Sequence, residues 1–343
     1  MTIALDATYS IGEELSGVGI YSRELLAGLA QDHPEIRFTF CYRPHRYFRS
    51  WRTALPGNAR RRLLAEPLGP RSADLFHGLN QRLPEIRLRR TVVTFHDLFV
   101  LSGAYSTAEF RKRFGEQARD AAARADAIIT VSEFTKSQVT GLLGVEPRKV
   151  HVVHHGVRRL ALKVEGREKI VLHVGAIQKR KNIVRLVEAF ETVDSAWKLV
   201  LAGSSGYGAA EIQERVAASP ARDRILITGY VSAEDLARWY SRAAVFAFPS
   251  LDEGFGMPVL EAMAAGVPVI TSNRSALPEV ASDAALLVDP ERTEALVEAL
   301  ANLIRDENLR SELAERGRLR ANRFSWEKAA RETWEVYRAV MLL

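Results

Sequence analysis

Two carboxylates, Glu253 and Glu261, stand eight positions apart in a glycine-containing segment that follows an apolar, strand-like run. Gly254 and Gly256 allow the backbone to approach a ligand closely, and the amides at the start of the next helix favour an anion. Carboxylates beside an anion site suit a ligand with both phosphates and a diol, because a carboxylate accepts paired hydrogen bonds from sugar hydroxyls. The segment Ser250–Glu261 therefore predicts a site for such a ligand, whereas Glu261 alone also fits a residue that the helix dipole favours.

A cationic loop follows another apolar strand in the same half of the chain. Gly175 comes directly after that strand, and Lys179, Arg180 and Lys181 come just before a helix that Asn182 is expected to cap. Three cations at the carboxyl end of a strand suit a diphosphate, although a solvated basic turn has the same composition. The loop is not a Walker loop, since the chain has no Gly-x-x-x-x-Gly-Lys-Ser/Thr pattern.

Two loops of the amino-terminal half also suit a sugar-containing ligand. Gly17 and Gly19 place backbone amides at the start of a helix, but Ser22 stands where a dinucleotide fingerprint has its third glycine. His96 directly follows the predicted strand Thr91–Phe95, where a histidine can hydrogen-bond a sugar hydroxyl or carry a proton. The competing interpretation of His96 is a histidine that only completes a buried core.

Composition excludes several classes of protein. The chain has 343 residues, of which 47% are hydrophobic and 26% charged, so we expect two packed domains and not a disordered chain. A single cysteine, Cys41, excludes a disulfide scaffold and favours a reducing compartment. The first residues are typical of a strand, expected over Thr2–Tyr9, and not of a signal peptide. The longest uncharged run has 12 residues, too few to span a membrane. We therefore expect a cytoplasmic protein.

The basic excess lies in the amino-terminal half. Residues 1–160 hold 24 Lys and Arg against 16 Asp and Glu, whereas residues 161–343 hold 24 against 26. The densest part, here called the basic segment, is Arg43–Arg62, which has no acidic residue and interleaves three aromatic residues with its cations. It is suited to an anionic membrane leaflet or an anionic acceptor, or it is a solvated basic face; no motif supports binding of nucleic acid. Its arginines are Arg43, Arg46, Arg49, Arg52, Arg60, Arg61 and Arg62.

Strand-like and helix-like runs alternate along the chain, and the alternation restarts after a charged segment at Arg158–Arg167. This pattern predicts an α/β protein with two doubly wound, Rossmann-like domains, at residues 1–160 and 168–325, followed by a helical segment at 326–343. In such sheets ligands bind outside the carboxyl ends of the strands. We therefore expect the functional residues to lie in loops that follow strands.

Together these motifs resemble the family 4 glycosyltransferases, which are retaining enzymes with the GT-B fold. The resemblance spans nearly the whole chain, and the Glu-x7-Glu block from Glu253 to Glu261 is its most specific part. The other matching pieces are Arg180-Lys181-Asn182, His96-Asp97-Leu98, Ser16-Gly-Val-Gly-Ile-Tyr21 and Thr130-Val-Ser-Glu-Phe134.

The resemblance implies a nucleotide-sugar donor, held mainly by the carboxyl-terminal domain, and a final helix that crosses back to the amino-terminal domain. Glu261 would bind the ribose diol, Glu253 would hold the transferred sugar, and His96 would reach that sugar from the opposite domain. Glu253 and His96 are thus the implied catalytic residues. Of the remaining implied donor contacts, Arg180 and Lys181 would neutralise the leaving diphosphate, and Tyr230 and Val231 would flank the base. The amides of Gly254, Phe255 and Gly256 would hold the sugar, and Gly17 and Gly175 are further implied donor contacts.

The implied chemistry is transfer with retention of configuration and without a metal or other cofactor. Fixed cations and helix amides stabilise the charge that builds on a leaving diphosphate, and the chain contains no Asp-x-Asp pair. We favour same-face transfer, although Glu253 as a covalent nucleophile remains an alternative. The chain departs from the family pattern at Ala176, where many relatives have arginine, and at His154-His155, where many have asparagine before the glycine. We expect His155 to be a turn residue.

The motifs look most similar to the mannosyltransferase-like branch that builds bacterial surface polysaccharides. This implies GDP-mannose as the leading donor, with UDP-sugars and other nucleotide-sugars as alternatives. The implied acceptor is a saccharide or a lipid-linked saccharide at the inner face of the membrane, which would explain the basic segment. A nucleotide-sugar hydrolase or epimerase, and a binding protein without catalysis, remain rival interpretations.

Overall fold

The structure, a computed structural model, describes residues 1–67, 69–158 and 166–342. It divides into two compact units, one made of Met1–Gly156 and Phe324–Leu343 and the other of Val157–Arg323. Most of the predicted linker Arg158–Arg167 lies outside the described residues.

The first unit has a parallel sheet of seven described strands in the order β3-β2-β1-β4-β5-β6-β7. The strands are β1 (Thr2–Asp6), β2 (Arg37–Tyr42), β3 (Ala59–Leu63), β4 (Leu75–Gly78), β5 (Thr91–Phe95), β6 (Ala127–Thr130) and β7 (Val150–Val152). The helices are α1 (Gly17–Asp32), α2 (Pro44–Ser50), α3 (Phe99–Ser102), α4 (Ala108–Arg124), α5 (Glu133–Leu143) and, last in the chain, α13 (Trp326–Leu342).

Alternation along β1 shows how helices come to cover both faces of this sheet. Ile3 and Leu5 belong to one hydrophobic cluster and Ala4 to another, because successive side chains of a strand point to opposite faces. The first cluster also contains residues of α1 and α13, among them Ala330 and Tyr337. The last helix of the chain is therefore part of the core of the first unit.

The second unit has a parallel sheet of six described strands in the order β10-β9-β8-β11-β12-β13. The strands are β8 (Glu168–Val174), β9 (Lys198–Ala202), β10 (Ile225–Gly229), β11 (Ala243–Phe248), β12 (Val269–Ser272) and β13 (Ala285–Val288). The helices are α6 (Ile183–Phe190), α7 (Ala209–Ala217), α8 (Ala233–Arg242), α9 (Met257–Ala264), α10 (Leu277–Ala281), α11 (Thr293–Arg305) and α12 (Glu307–Ala321). The predicted fold class, two doubly wound α/β units, is confirmed.

Two local features differ from the prediction. The first strand was expected to run over Thr2–Tyr9 but ends at Asp6, whose carboxylate accepts hydrogen bonds from the amide and the hydroxyl of Thr8. The basic segment, for which the sequence predicted no element, contains α2 and the edge strand β3. Pro44 begins α2, a position that proline favours, and arginines on an edge strand discourage pairing with another chain.

Candidate active site

The candidate site of the second unit lies at the point where its strand order reverses. Strands β8 and β11 are neighbours in the sheet, and the chain leaves them in opposite directions, to β9 and to β12. Gly175 follows β8, and the segment Pro249–Gly256 follows β11. Doubly wound sheets bind ligands in the crevice at such a reversal.

The two predicted halves of this site meet as one buried ionic cluster, here called the Glu253 cluster. Lys181 Nζ lies 2.6 Å from Glu253 Oε1, and Arg180 Nη1 lies 2.9 Å from Oε2. Burial alone would raise the pKa of Glu253, but the charges and hydrogen bonds of Arg180 and Lys181 outweigh it and lower the pKa to about 2. Glu253 is therefore a carboxylate at neutral pH. The third predicted cation, Lys179, instead pairs with Glu211 near the surface.

Hydrogen bonds fix the loop that carries Glu253. The amide of Glu253 donates to Ser275 Oγ at 3.1 Å, and its carbonyl accepts from the amide of Ala276 at 3.2 Å. Both partners come from the loop after β12, the next strand of the sheet. Arg180 adds a hydrogen bond to the carbonyl of Asp252. The loop, which also contains the predicted contacts Gly254 and buried Phe255, is thus held from both neighbouring strands.

Glycine is required at two places around the cluster. Gly256 has φ of +108°, a conformation that L side chains rarely adopt, and it immediately precedes α9. A Cβ atom on Gly203, after β9, would lie 1.9 Å from the carbonyl oxygen of Gly175. The loops after β8 and β9 therefore touch through their backbones.

Asn182 corrects one prediction. It was expected to cap α6 with its side chain, but it adopts a left-handed conformation with φ of 58° and makes no such cap. Its side-chain amide nitrogen, Nδ2, instead donates to the carbonyls of Pro249, at 3.1 Å, and Pro290, at 2.6 Å. Asn182 therefore ties the cationic turn to the start of the loop that carries Glu253.

Glu261 lies in α9 and is 5% exposed. Tyr240, from α8, donates its hydroxyl to Glu261 Oε2 at 3.1 Å, and Arg158 Nη2 lies 3.0 Å from Oε1. Burial raises the pKa of Glu261, and Arg158 and Tyr240 oppose that effect. No sequence signal indicated Arg158 or Tyr240, because neither lies near Glu261 along the chain.

The predicted base contacts also lie at the carboxyl-terminal end of the strands, beside a different strand. Tyr230 and Val231 directly follow β10, two strands away from β8. Tyr230 is 45% exposed, which suits a side chain that a flat ligand would cover.

In the first unit, His96 follows β5 as predicted and is buried. Its Nε2 lies 2.9 Å from the carbonyl oxygen of Leu79, so Nε2 carries the proton and donates it. Nδ1 is buried and has no hydrogen-bond partner within residues 1–67, 69–158 and 166–342. Burial lowers the pKa of His96 to about 4, so the ring is neutral and Nδ1 is an acceptor. His96 is thus ready to accept a hydrogen bond from a hydroxyl.

The predicted glycines before α1 differ in their surroundings. Gly17 is the first residue of α1, and Ser16 caps the helix by accepting from the amide of Gly19. A Cβ atom on Gly19 would lie 2.9 Å from the carbonyl of Tyr9, so packing within the unit already requires that glycine.

Buried aromatic and histidine side chains surround His96. Its ring contacts Tyr21 edge-on at 4.7 Å, and His155 packs against both Tyr21 and Trp326. His155 is 4% exposed, so it contributes to the core and is more than the simple turn residue that was expected.

The sequence did not predict a hydrogen-bonded chain of side chains that begins at Tyr21. Tyr21 bonds Thr94 at 2.9 Å, Thr94 bonds His77 at 2.8 Å, and His77 bonds Tyr337 of α13 at 2.5 Å. The chain connects α13 to the two strands, β4 and β5, that support His96. Desolvation lowers the pKa of His77 to about 3, so this histidine is also neutral.

The basic segment contains arginines that support the local fold and arginines that are exposed. Arg43 pairs with Asp6 at 3.3 Å, and Arg61 donates to the carbonyl of Ser50, so both support the local fold. Phe48 and Trp51 are 82% and 63% exposed, and they lie beside the exposed Arg49 and Arg52. The remaining arginines are Arg46, which donates to the Ile11 carbonyl, Arg60, which donates to Thr39, and the half-buried Arg62.

Comparison with known proteins defines the class. The model of the group 1 glycosyl transferases matches residues 158–320, and that of glycosyltransferase family 4 matches residues 15–159. O-antigen chain mannosyltransferase B of Escherichia coli is 31% identical over 285 residues, which cover 77% of this chain and 74% of that protein. O-antigen chain mannosyltransferase RfbU of Salmonella typhimurium is 30% identical over 52% of this chain and 51% of its own length.

Solved structures show the same fold at low identity. Sucrose-phosphate synthase from Thermosynechococcus elongatus has a TM-score of 0.80 at 23% identity, with 99% of both chains covered. Anabaena HepE, solved with UDP and glucose, has a TM-score of 0.77 at 15% identity, with 98% of this chain and 99% of that chain covered.

The fold is thus the GT-B fold of two Rossmann-like units, and the matches identify a glycosyltransferase. The chain belongs to the group 1, family 4 glycosyltransferases, as its motifs indicated. Within the described ranges, no helix is both long enough and apolar enough to cross a bilayer.

Proposed function

We propose that this glycosyltransferase moves mannose from GDP-mannose to a saccharide or lipid-linked saccharide during synthesis of a bacterial surface polysaccharide. The likeness to two O-antigen chain mannosyltransferases supports the sugar and the pathway class. The Glu253 cluster is the observation that carries the donor class. It joins buried cations, suited to a diphosphate, to a carboxylate suited to sugar hydroxyls.

The proposed reaction breaks the bond between the anomeric carbon of mannose and the β-phosphate oxygen. Negative charge develops on the departing diphosphate, and Arg180 and Lys181 are fixed cations that stabilise it in a buried setting. Gly175 lets the diphosphate approach the backbone beside them. The proposal therefore needs no metal and no other cofactor.

The geometry favours Glu253 as a sugar-binding residue over Glu253 as a nucleophile. A carboxylate with a pKa of about 2 is a weak base, and both of its oxygens already pair with cations. The proposal is therefore same-face transfer with retention, in which the donor phosphate takes the proton of the acceptor hydroxyl. The amides of Gly254, Phe255 and Gly256 complete the sugar site in this proposal.

The other proposed roles follow from single observations. Glu261 accepts the ribose diol, because it is a buried carboxylate with one donor on each oxygen and lone pairs remaining. His96 accepts a hydrogen bond at Nδ1 from a hydroxyl of the donor sugar. Gly17 donates its backbone amide to the donor at the start of α1. Tyr230 and Val231 flank the base.

The acceptor side is proposed to work at the cytoplasmic face of the inner membrane. An exposed phenylalanine and an exposed tryptophan beside exposed arginines suit the boundary between head groups and acyl chains. A lipid-linked saccharide would be presented at that boundary.

A thermal-shift panel tests the donor class. GDP, UDP, ADP and dTDP are added with and without EDTA to the wild type, to Glu261→Ala and to Glu168→Ala, a control at an exposed ion pair. We expect GDP to raise the melting temperature of the wild type and of the control in both conditions, and not that of Glu261→Ala. A shift with UDP instead of GDP would replace the donor, and a shift abolished by EDTA would refute metal independence.

Product analysis tests the reaction. Incubation with GDP-mannose should release GDP only when a mannose-terminated acceptor is present, and NMR of the product should show the anomeric configuration of the donor. Release of GDP without an acceptor would favour a hydrolase, and an inverted product would refute retention.

A further inference from the structure

Glu261 has a neighbour that neither the family motifs nor the sequence pattern assign. Arg158 lies in the second unit, two residues after Gly156, at which the first part of the first unit ends. Its Nη2 approaches Glu261 Oε1 to 3.0 Å, and the two side chains are 19% and 6% exposed. The pair is thus an ion pair largely shielded from water.

A buried carboxylate needs such a partner in order to remain ionised. Desolvation favours the neutral form of an acid and raises its pKa, whereas an opposite charge at this distance favours the ionised form and lowers the pKa. Arg158 is the cation that acts on Glu261 among the residues that the structure describes, and Tyr240 is a neutral donor. The pKa of Tyr240 is raised well above its ordinary value, so its hydroxyl stays protonated over the physiological range.

Ionisation matters because a ribose diol donates hydrogen bonds. An ionised carboxylate accepts through both oxygens, whereas a protonated one loses acceptor capacity and gains a competing O–H donor. The Arg158 and Tyr240 contacts also occupy one lone pair on each oxygen, which fixes the plane of the carboxylate and leaves the other lone pairs for the ligand.

We propose that Arg158 is a positioning residue for the nucleotide site: it keeps Glu261 ionised and oriented so that the carboxylate can bind the ribose diol of the donor. The inference rests on the proposed nucleotide-sugar donor and adds a specificity role to a residue outside the known motifs. Arg158 acts through Glu261 and need not touch the ligand.

The test compares nucleoside diphosphates that have the diol with those that lack it. Kd values for GDP and 2′,3′-dideoxy-GDP, and for the corresponding UDP pair, are measured from pH 5 to pH 8.5. The ratio of the two Kd values isolates the contribution of the diol. In the wild type we expect a preference for the ribonucleotide of about tenfold or more, because hydrogen bonds to charged groups are strong. Glu261→Gln should lose the preference at every pH.

The Arg158→Gln variant should change the pH dependence of that ratio. The pH at which the preference is half lost should rise by about 1–3 units relative to the wild type. The affinity for the dideoxy ligand should change by less than about twofold. Arg158→Lys keeps a positive charge, so we expect it to restore most of the wild-type profile.

Arg167→Gln is the matched structural control. Its guanidinium donates hydrogen bonds to the carbonyls of Tyr240, Ala243, Ala265 and Gly266. Its loss therefore removes hydrogen bonds in the same region but leaves the cation that pairs with Glu261 in place. Arg167→Gln should lower the melting temperature and leave the pH profile of the Kd ratio unchanged.

The outcomes separate the two proposals. If the wild type binds no nucleoside diphosphate, the donor class is wrong and the role of Arg158 falls with it. If the wild type prefers the ribonucleotide and the Arg158→Gln profile coincides with that of the wild type, only the role of Arg158 is overturned. A shifted profile that Arg158→Lys restores supports it.

Discussion

Lys181 Nζ lies 2.6 Å from Glu253 Oε1, although the two residues are 72 positions apart in the chain. The contact exists because β8 and β11 are neighbours and the loops at their carboxyl ends meet. The carboxylate of Glu253 is therefore the counterion of the cations proposed to bind the diphosphate.

Glu253→Gln should destabilise the protein and increase its response to a diphosphate. The substitution leaves Arg180 and Lys181 buried without the carboxylate, and breaking a buried pair in this way costs about 3–5 kcal/mol. Because the phosphates of GDP or UDP can replace that counterion, the ligand should raise the melting temperature of the variant more than that of the wild type. Chemical denaturation and thermal shift measure the two effects.

The control for this prediction is Glu168→Gln. Glu168 pairs with Arg242 through side chains that are 51% and 45% exposed, and exposed pairs contribute about 0–1 kcal/mol. If both variants lose the same small amount of stability, the Glu253 cluster does not hold the site together.

The same glycine-to-alanine change should have opposite effects at Gly203 and Gly141. At Gly203 the added Cβ would overlap the Gly175 carbonyl oxygen, so we expect loss of stability and weaker nucleotide binding. Gly141 lies exposed within α5 with open space around it, so alanine should stabilise by about 0.5–1 kcal/mol. Urea denaturation of both variants checks the sign, and equal effects would refute the close approach of the two loops.

Buried neutral histidines should make the fold sensitive to acid. The pKa values of His77, His96 and His173 are lowered to about 3, 4 and 4 by burial, against about 6.5 in the unfolded chain. Their contribution to stability is thus complete above about pH 6.5 and is lost as the pH falls from 6.5 to the folded-state values of about 4 and, for His77, about 3. Each shifted histidine contributes a slope of up to about 1.4 kcal/mol per pH unit.

The free energy of unfolding, measured between pH 7.5 and pH 5, tests this expectation. In the His173→Gln variant, glutamine can still donate to the Ala247 carbonyl, which His173 Nδ1 contacts at 3.0 Å. The variant should lose the contribution of one histidine to the slope, which is up to about 1.4 kcal/mol per pH unit. A wild-type stability that does not change across this range would contradict the assignment of neutral histidines.

The basic segment should bind anionic membranes through the residues it exposes. Phe48→Ser with Trp51→Ser, and separately Arg49→Ser with Arg52→Ser, should weaken binding to phosphatidylglycerol-containing vesicles. Two arginines near an anionic surface contribute about 2 kcal/mol, or roughly 30-fold. Arg61 is left intact because it also supports the local fold through the Ser50 carbonyl.

The double variant Arg23→Ser with Arg148→Ser is the charge-matched control, since both arginines are exposed and outside the basic segment. Vesicle sedimentation at two salt concentrations measures the difference. Equal weakening by all three double variants would indicate a nonspecific charge effect and would overturn the proposed membrane surface.

The sequence was sufficient for the fold class because alternating strands and helices with short loops admit few arrangements other than doubly wound sheets. It also indicated Glu253, Lys181 and His96 as candidates, because each lies in a loop that follows a predicted strand. It could not predict that Glu253 and Lys181 pair, since the order of strands in a sheet is not visible along the chain.

The contacts of Asn182 and Arg158 were not predicted either, and each has its own reason. Asparagine is a residue type that often caps helices, but the left-handed backbone of Asn182 directs its side-chain amide to the carbonyls of Pro249 and Pro290. Arg158 lies in a charged segment that lacks any periodic pattern, so nothing distinguished it from a solvated linker residue. Contacts of this kind depend on three-dimensional packing that residue type and spacing do not encode.

The place of α13 in the first core has a consequence for synthesis on the ribosome. Domains generally fold as units, the amino-terminal one first, as the chain emerges. Here the first unit draws Ala330, Tyr337 and Val340 into its core, whereas the second unit is continuous from Val157 to Arg323. We therefore expect the second unit to complete its core first during translation. The core of the first unit stays incomplete until α13 has been synthesised.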